Sequence, residues 1–199
     1  MAVALKDNAL ITAVELDEML RVTIGDADLS NTLINIASDF IDQYANRSFI
    51  SATYTAEKYD GNSDRRIYLK QYPIISVTTL ASWDTISDIV MTTYTANTDY
   101  LLYLKEGYIY FRYKTMPGHQ NYRVTYTAGY LIADVPYDLK NACAQLAGMI
   151  YNNTGKAGMK SEGIGQYSYT IKDGTVLFGG IPVPADIAGV ILQYRNINV

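Results

Sequence analysis

The stretch NYRVTYTAGY (residues 121–130), followed closely by PYDLKNACAQLAGMIY (residues 136–151), decides the fold. In the first stretch Tyr122, Val124 and Tyr126 alternate with polar residues, which is the period of a strand with one buried face. In the second stretch the apolar residues recur every three or four positions, which predicts a helix whose first turn contains Pro136. Its apolar stripe consists of Leu139, Ala142, Cys143, Leu146, Ala147, Ile150 and Tyr151. A strand region and a helix in direct succession predict an α+β chain.

The period of two extends upstream to about residue 51. Ile67 and Leu69 alternate with polar or half-polar neighbours, as in the stretch above. Asp60-Gly61 has the composition of a turn, and Lys105-Glu106-Gly107 has that of a hairpin loop. Pro73 interrupts the pattern, which is typical of a strand start or a sheet edge. We predict six or seven short antiparallel strands between residues 51 and 130.

The region before the strands predicts two helices. Thr12 and Glu15 have the spacing of a capping box ahead of a short apolar helix, and Gly25 with two aspartates then predicts a turn. A second helix is predicted over 29–44, and Asn46 is suited to end it in the left-handed conformation. Its predicted apolar stripe consists of Leu29, Leu33, Ile36, Ala37, Phe40 and Tyr44.

The C-terminal region is more varied. A polar, glycine-rich stretch over 154–165 predicts a mobile loop, and 166–172 has a strand-like pattern. An apolar loop is predicted through Phe178 and Ile181, and a final helix over 184–196. The simplest architecture is a single domain over residues 1–199. In it the two N-terminal helices and the C-terminal helices (10–47 and 134–199) form a helical bundle, with an antiparallel β-region (51–130) inserted between them.

Composition narrows the class of protein. The 199 residues are 49% hydrophobic and the formal net charge is -4, which favours a chain with a real core over a disordered tail. An acidic balance is the opposite of what phosphate neutralisation requires, so scattered basic residues are expected to be solvated. These residues are Arg65, Arg66, Lys70, Arg112, Lys114 and Arg123. The single cysteine excludes an intrachain disulfide, and no signal peptide or membrane span is apparent, which predicts a cytoplasmic protein.

Tyrosine is unusually frequent, with 19 residues against one Trp and four Phe. A tyrosine joins a large apolar ring to a hydroxyl group, so it suits surfaces that are dry on one side and wet on the other. Two interpretations stay open: a half-exposed sheet built from residues that favour strands, or surfaces of contact between subunits.

The sequence offers no catalytic constellation. The only histidine, His119, is in a turn, and the only thiol, Cys143, is on the apolar stripe of a helix. Two such residues cannot make a structural zinc site, and the aspartate pairs 26/28 and 84/88 lack the pattern of a calcium loop. Gly163-Ile164-Gly165 is only a fragment of a phosphate-binding motif. We therefore expect a protein that is not an enzyme and carries no cofactor and no metal.

Four stretches in order resemble the head–tail connector (adaptor) family of tailed bacteriophages. They are the opening LITAVEL (10–16) with IDQYANRSF (41–49), LKQYPIISV (69–77), VTYTAGY (124–130) with VP (135–136) and LKNAC (139–143), and SEGIGQYS (161–168). Together they cover most of the chain. The tract 177–185 has no counterpart in the family pattern, and the central β-region is larger than in compact members.

The resemblance implies a structural role. Family members form a homo-oligomeric ring under the portal, extend the DNA channel without binding DNA specifically, and dock neck or tail-completion proteins. It implies assembly in the host bacterial cytoplasm, a final place in the virion neck, and no membrane. Because the C-terminal segment of relatives reaches toward the portal, Ile187, Val190, Ile191 and Tyr194 are candidate portal contacts; packing on the chain's own bundle is the other interpretation of this stripe. Lys160, Glu162, Gly163 and Gly165 are candidates for a flexible docking loop that orders on assembly.

Two other functions remain open. The same composition fits a different neck or tail-completion protein. It also fits a carbohydrate-binding β-module in which tyrosines and the single tryptophan, Trp83, stack on sugar rings, although a partly buried Trp83 that anchors a loop is the alternative.

Overall fold

A computed structural model describes residues 2–153, 177–178 and 181–195. The chain divides into two compact units, which we call the helical unit (Met1–Arg47 with Asp134–Arg195) and the β unit (Ser48–Ala133). The prediction of a single domain over the whole chain stays a prediction. The predicted strand-like segment 166–172 and the loop 154–165 lie outside the described residues.

The described residues of the helical unit form four helices. They are α1 (Ala13–Leu20), α2 (Ala27–Ala45), α3 (Tyr137–Asn153) and α4 (Ala185–Gln193). The predicted capping box is confirmed, because the Thr12 side chain accepts from the Glu15 amide and the Glu15 carboxylate accepts from the Thr12 amide. Asn46 is left-handed, with φ 53°, and ends α2 as predicted.

Helix α2 begins two residues earlier than predicted. Asp26, expected only as part of a turn, is its N-cap, and its carboxylate accepts from the amides of Asp28 and Leu29. The predicted stripe is partly wrong, since Ile36 is 42% exposed whereas Ile34 and Ile41 are fully buried. Because α2 contacts α1, α3 and α4, its buried face is wider than one narrow stripe.

Helix α3 contributes six buried hydrophobic residues to the core of the helical unit. Its predicted stripe is buried from Leu139 to Ala147, while Ile150 and Tyr151 are half-buried. Lys140 is also buried, and its ammonium donates to the Glu15 carboxylate over 2.7 Å. The tract expected to be an apolar loop instead forms a two-stranded antiparallel ladder, β8 (Leu177–Phe178) with β9 (Ile181–Pro182).

The β unit contains seven strands, all paired antiparallel, in agreement with the predicted six or seven. They are β1 (Ala52–Gly61), β2 (Arg66–Tyr68), β3 (Ile74–Asp84), β4 (Ile89–Thr93), β5 (Tyr100–Tyr103), β6 (Tyr108–Phe111) and β7 (Gly118–Ala128). One sheet has the strand order β1-β7-β3-β4 and the other has the order β2-β6-β5. In the first sheet β1 and β4 are therefore the edges.

Strand β7 organises the core of the β unit. Tyr122, Val124 and Tyr126 are buried, as their alternation predicts, and they pair across to β1 on one side and β3 on the other. The loop 105–107 joins β5 to β6 as predicted, with Gly107 at φ 73°. Asp60-Gly61 is not a turn: it ends β1, and the chain turns only after it, at 63–65.

The chain is thus α+β, with four helices and antiparallel sheets in the part the structure describes. No helix among the described residues is both long and apolar enough to span a bilayer.

Candidate assembly surfaces

Helix α4 and its C-cap residue, Tyr194, include the four residues predicted to contact the portal. Ile187 and Ile191 are buried in the helical unit, at 4% and 0% exposure, whereas Val190 and Tyr194 are half-buried. The Tyr194 hydroxyl donates to both carboxylate oxygens of Asp138 at 2.9 Å. Only part of this stripe is therefore open to a partner in this structure. The predicted docking loop, with Lys160, Glu162, Gly163 and Gly165, lies outside the described residues.

A second surface is the hairpin that ends in β4, which we call the arm (residues 84–93). The exposed fraction is 94% for Ile86 at the turn, 61% for Ile89 and 58% for Met91. All five residues of β4 are exposed, and β4 is an edge of its sheet. A group of large apolar side chains without a cover is unusual on a soluble monomer and marks a surface of interaction.

The base of the arm is fixed by a contact between Trp83 and Arg123. Trp83 lies in β3, pairs with Val90 of β4, and is partly buried. The Arg123 guanidinium lies over its ring, 3.7 Å from the ring centroid, and also donates to the Asp88 carboxylate. Trp83 is thus a strand residue with one face covered by an arginine, which disfavours the sugar-stacking interpretation.

A third surface is the outer side of the three-stranded sheet, which we call the tyrosine face. Its residues alternate with the buried ones of the same strands: Arg66, Tyr68, Leu101, Tyr103, Tyr108 and Tyr110. The strand register places Tyr68 and Tyr103 on either side of Tyr108. The Tyr103 and Tyr108 rings stack with centroids 4.3 Å apart, and the Tyr68 and Tyr108 centroids are 5.3 Å apart. Both interpretations of the tyrosine content fit this half-exposed sheet.

Cations lie around the tyrosine face. The Arg66 guanidinium is 5.5 Å from the centroid of the Tyr108 ring, and Arg65 donates to the Tyr110 hydroxyl at 3.5 Å. An open cleft of about 350 Å³ borders the face and includes Arg65, Leu101, Tyr110 and Arg112 in its lining. Tyrosine and arginine are the residues most enriched where protein surfaces bind each other.

A buried polar network stabilises the sheet between β1 and β7. The hydroxyls of Tyr59 and Tyr126 donate to the same oxygen of Glu57, at 2.5 and 2.6 Å, and Lys70 Nζ lies 3.3 Å from the other oxygen. Burial, and then the hydrogen bond to Glu57, raise the pKa of Tyr59 and of Tyr126 well above the ordinary tyrosine value. The network keeps both hydroxyls protonated, so they act as hydrogen-bond donors that stabilise the sheet.

The histidine, the cysteine and the aspartate of the arm also make contacts typical of structural residues. His119 is exposed and its Nδ1 lies 3.3 Å from an Asp60 carboxylate oxygen. Cys143 is fully buried against the Ser38 hydroxyl, and burial raises the pKa of its thiol to about 12. Asp84 accepts from the Ile86 amide at the turn of the arm. Among the described residues, no three His, Cys, Asp or Glu side chains are grouped as metal ligands would be.

The family comparison matches nearly the whole chain. A family described as "Head completion protein" matches residues 9–197, a span that contains most of the helical unit, the whole β unit and all three surfaces. The chain belongs to the head completion protein family. The family role is structural, within the phage virion.

Solved structures similar to this chain agree with it in fold. One is "Neck of empty GTA particle computed with C6 symmetry", with a TM-score of 0.56 and 17% identity over 100% of this chain and 95% of that chain. Another is "Neck of native GTA particle computed with C12 symmetry", with a TM-score of 0.54 and 19% identity over 100% and 94%. "Virion of native gene transfer agent (GTA) particle" has a TM-score of 0.52 and 20% identity over 98% and 94%. No curated protein matches the chain.

The sequence patterns do not predict the arm. Within residues 84–93 they indicate only an aspartate pair, beside a tryptophan. The signal present was the uncharged run Ile89-Val90-Met91 directly after a polar turn. Periodicity alone cannot show whether such a run is buried or exposed, because a continuous apolar run lacks the alternation that identifies a buried face.

Proposed function

We propose that this chain forms a ring of identical subunits in the neck of the virion, under the portal, where it extends the DNA channel and docks neck or tail-completion proteins. The observation that carries the proposal is the similarity of fold, over essentially the whole chain, to components of particle necks solved with twelvefold and sixfold symmetry. The connector resemblance of the sequence agrees with it. Assembly would take place in the host cytoplasm.

The charge of the chain is compatible with a DNA channel. A lumen dense in Lys and Arg would bind phosphates and slow the passage of DNA, because each neutralised phosphate adds to affinity. The chain has 16 basic against 20 acidic residues. The exposed Arg66 lies over the Tyr108 ring, and the exposed Arg65 and Arg112 line a cleft that also includes Asp99. A ring of such subunits would let DNA pass without specific binding.

In this proposal the four helices act as one bundle that holds the C-terminal helix against the portal. The contact would use the half-buried Val190 and Tyr194 together with the exposed Leu192, which is 43% exposed. The buried Ile187 and Ile191 would anchor α4 to the rest of the helical unit. The loop at 160–165 would be a second docking element.

The test is to mix the purified chain with its cognate portal ring and to examine the product by light scattering and negative-stain electron microscopy. The proposal expects an added ring on one face of the portal. Leu192→Asp should abolish that complex while leaving the circular dichroism spectrum and the unfolding midpoint unchanged, because the side chain is exposed. Val14→Asp, a charge on a residue of α1 that is 68% exposed, is the matched control and should bind normally.

Absence of any complex with the wild-type chain at micromolar concentrations would contradict the proposal. It would move the chain to another neck or tail-completion role. A complex that Leu192→Asp leaves intact would contradict only the α4 contact.

A further inference from the structure

We propose that the arm of one copy docks on the tyrosine face of a second copy, so that this contact links neighbouring subunits. The inference rests on the ring proposed above and specifies its interface. A closed ring with a rotation axis needs two different patches on each subunit, one that gives and one that receives. The β unit exposes two such patches of unlike chemistry.

Both surfaces expose large apolar side chains. The arm ends in Ile86, which is 94% exposed and projects from a turn as a single aliphatic side chain. The tyrosine face is a flat aromatic surface bordered by an open cleft of about 350 Å³. An aliphatic tip that enters such a cleft would bury both, and Met91 adds a thioether, which packs well against aromatic rings.

The two surfaces are complementary in charge. Residues 84–93 include Asp84 and Asp88 and no basic residue, and because Asp88 pairs with Arg123, the arm together with Arg123 has a formal charge of -1. The tyrosine face includes Arg66, and the bordering cleft adds Arg65 and Arg112 against one carboxylate, Asp99. Two arms brought together would place aspartates against aspartates, and two tyrosine faces would place arginines against arginines. Unlike pairing avoids both repulsions and sets the direction of assembly.

The contact is expected to use side chains more than backbone. The pairing of β4 with β3 is interrupted between Ser82 and Trp83, where Met91 is an extra residue on β4. Such a bulge breaks the regular spacing of outward amides and carbonyls, which hinders the addition of another strand at an edge. The exposed apolar side chains of the arm do not depend on that regularity.

The first experiment is assembly of charge variants on the portal, with sedimentation of the free chain in parallel. Ile86→Asp on the arm and Tyr103→Asp on the face should each abolish the ring, with more than tenfold less chain bound per portal. Arg66→Glu is a second variant of the tyrosine face. Because the Arg66 side chain is fully exposed, misfolding would not explain a loss of assembly in this variant. Val14→Asp, in the helical unit, is the control.

The second experiment identifies the partners directly by oxidative cross-linking of the full-length chain. Copies with Ile86→Cys mixed with copies with Tyr103→Cys should give a disulfide-linked dimer, and the double variant should give a ladder of higher oligomers on the portal. Val14→Cys mixed with Tyr103→Cys should give none, and the buried Cys143 should stay unreacted.

The outcomes separate this inference from the function. If the Ile86→Asp variant forms the same ring as the wild-type chain, the arm-to-face contact is overturned and the ring function stands. The same holds if the double cysteine variant gives no ladder of oligomers. A wild-type chain that forms no ring would overturn both. Efficient cross-linking of Ile86→Cys with itself would replace the contact by an arm-to-arm pair.

Discussion

The guanidinium of Arg123 lies 3.7 Å from the centroid of the Trp83 ring and also binds Asp88, which joins the central strand of the β unit to the base of the arm. Arg123 is in β7, Trp83 is in β3, and Asp88 is in the turn before β4. One side chain thus connects three segments.

Removal of Arg123 should therefore expose Trp83. Because Trp83 is the only tryptophan, its fluorescence reports this site alone. We expect Arg123→Ala to shift the emission maximum to longer wavelength and to lower the free energy of unfolding by about 1–2 kcal/mol, through loss of the stacked cation and its packing. Arg112→Ala, which removes an exposed arginine that lies over Tyr113, is the control. An unchanged emission maximum in Arg123→Ala would count against the contact.

The Glu57 network should make stability depend on alkaline pH. The pKa values of Tyr59 and Tyr126 are raised in the folded protein, so the unfolded chain loses these protons first as pH increases. The free energy of unfolding should fall as pH rises above about 10, by about 1.4 kcal/mol per pH unit for each tyrosine. Urea unfolding followed by circular dichroism at pH 8 and above 10 measures this.

In the same experiment Tyr59→Phe should cost about 1–2 kcal/mol at pH 8, because Glu57 loses a donor, and should reduce the alkaline slope. Tyr113→Phe, at a tyrosine that is 73% exposed, should change neither. Equal slopes in all three proteins would rule out the network as their cause.

The pair Glu15–Lys140 should make the helical unit sensitive to acid. Burial by itself raises the pKa of Glu15, but hydrogen bonds from Lys140 and Thr12 outweigh it and hold the pKa below its ordinary value. The pair therefore stabilises the fold above the unfolded pKa near 4.5, and this stabilisation is lost as pH falls through the lower folded pKa. Glu15→Gln should cost about 1 kcal/mol at pH 7 and flatten the acid limb. Glu18→Gln, an exposed change in the same helix, should leave the acid limb as in the wild type.

Gly107 and Gly189 should respond to alanine in opposite directions. Gly107 has φ 73°, and an added Cβ would lie 2.7 Å from Cβ of Tyr72. Gly107→Ala should therefore destabilise the fold by about 1–3 kcal/mol. Gly189 is inside α4 with no atom within 4 Å of an added Cβ, so Gly189→Ala should stabilise by about 0.5–1 kcal/mol. Thermal unfolding of the two variants measures both, and the same sign in both would refute this reasoning.

Local chemistry made much of the fold predictable from the sequence. The capping box at Thr12, the left-handed Asn46 and the hairpin at Gly107 each depend on neighbours within a few residues. Features that depend on tertiary packing were harder. Ile36 falls at a helical spacing and is exposed, because α2 packs against other helices through Ile34 and Ile41 instead. Asp60-Gly61 has a turn composition, but its pairing with β7 keeps it in a strand.

Some features of the candidate assembly surfaces were also visible in the sequence, whereas others depend on tertiary packing. The tyrosine content was visible in the sequence, and the structure shows where part of it lies, on one side of a three-stranded sheet. The arm was not predicted, because exposure of Ile86 and Met91 depends on β4 being an edge strand, and strand order is set by contacts distant in sequence. Two of the four residues predicted to contact the portal, Ile187 and Ile191, are buried. Their burial depends on the tertiary packing of α4, which the sequence pattern does not specify.

The most direct test of the central claim is a cryo-electron microscopy reconstruction of the neck in intact virions of the phage that encodes this chain. The account predicts a closed ring of copies of the chain directly under the portal, around the DNA channel. A neck reconstruction in which no density fits the two units, with the chain found elsewhere in the particle or missing from it, would contradict the account.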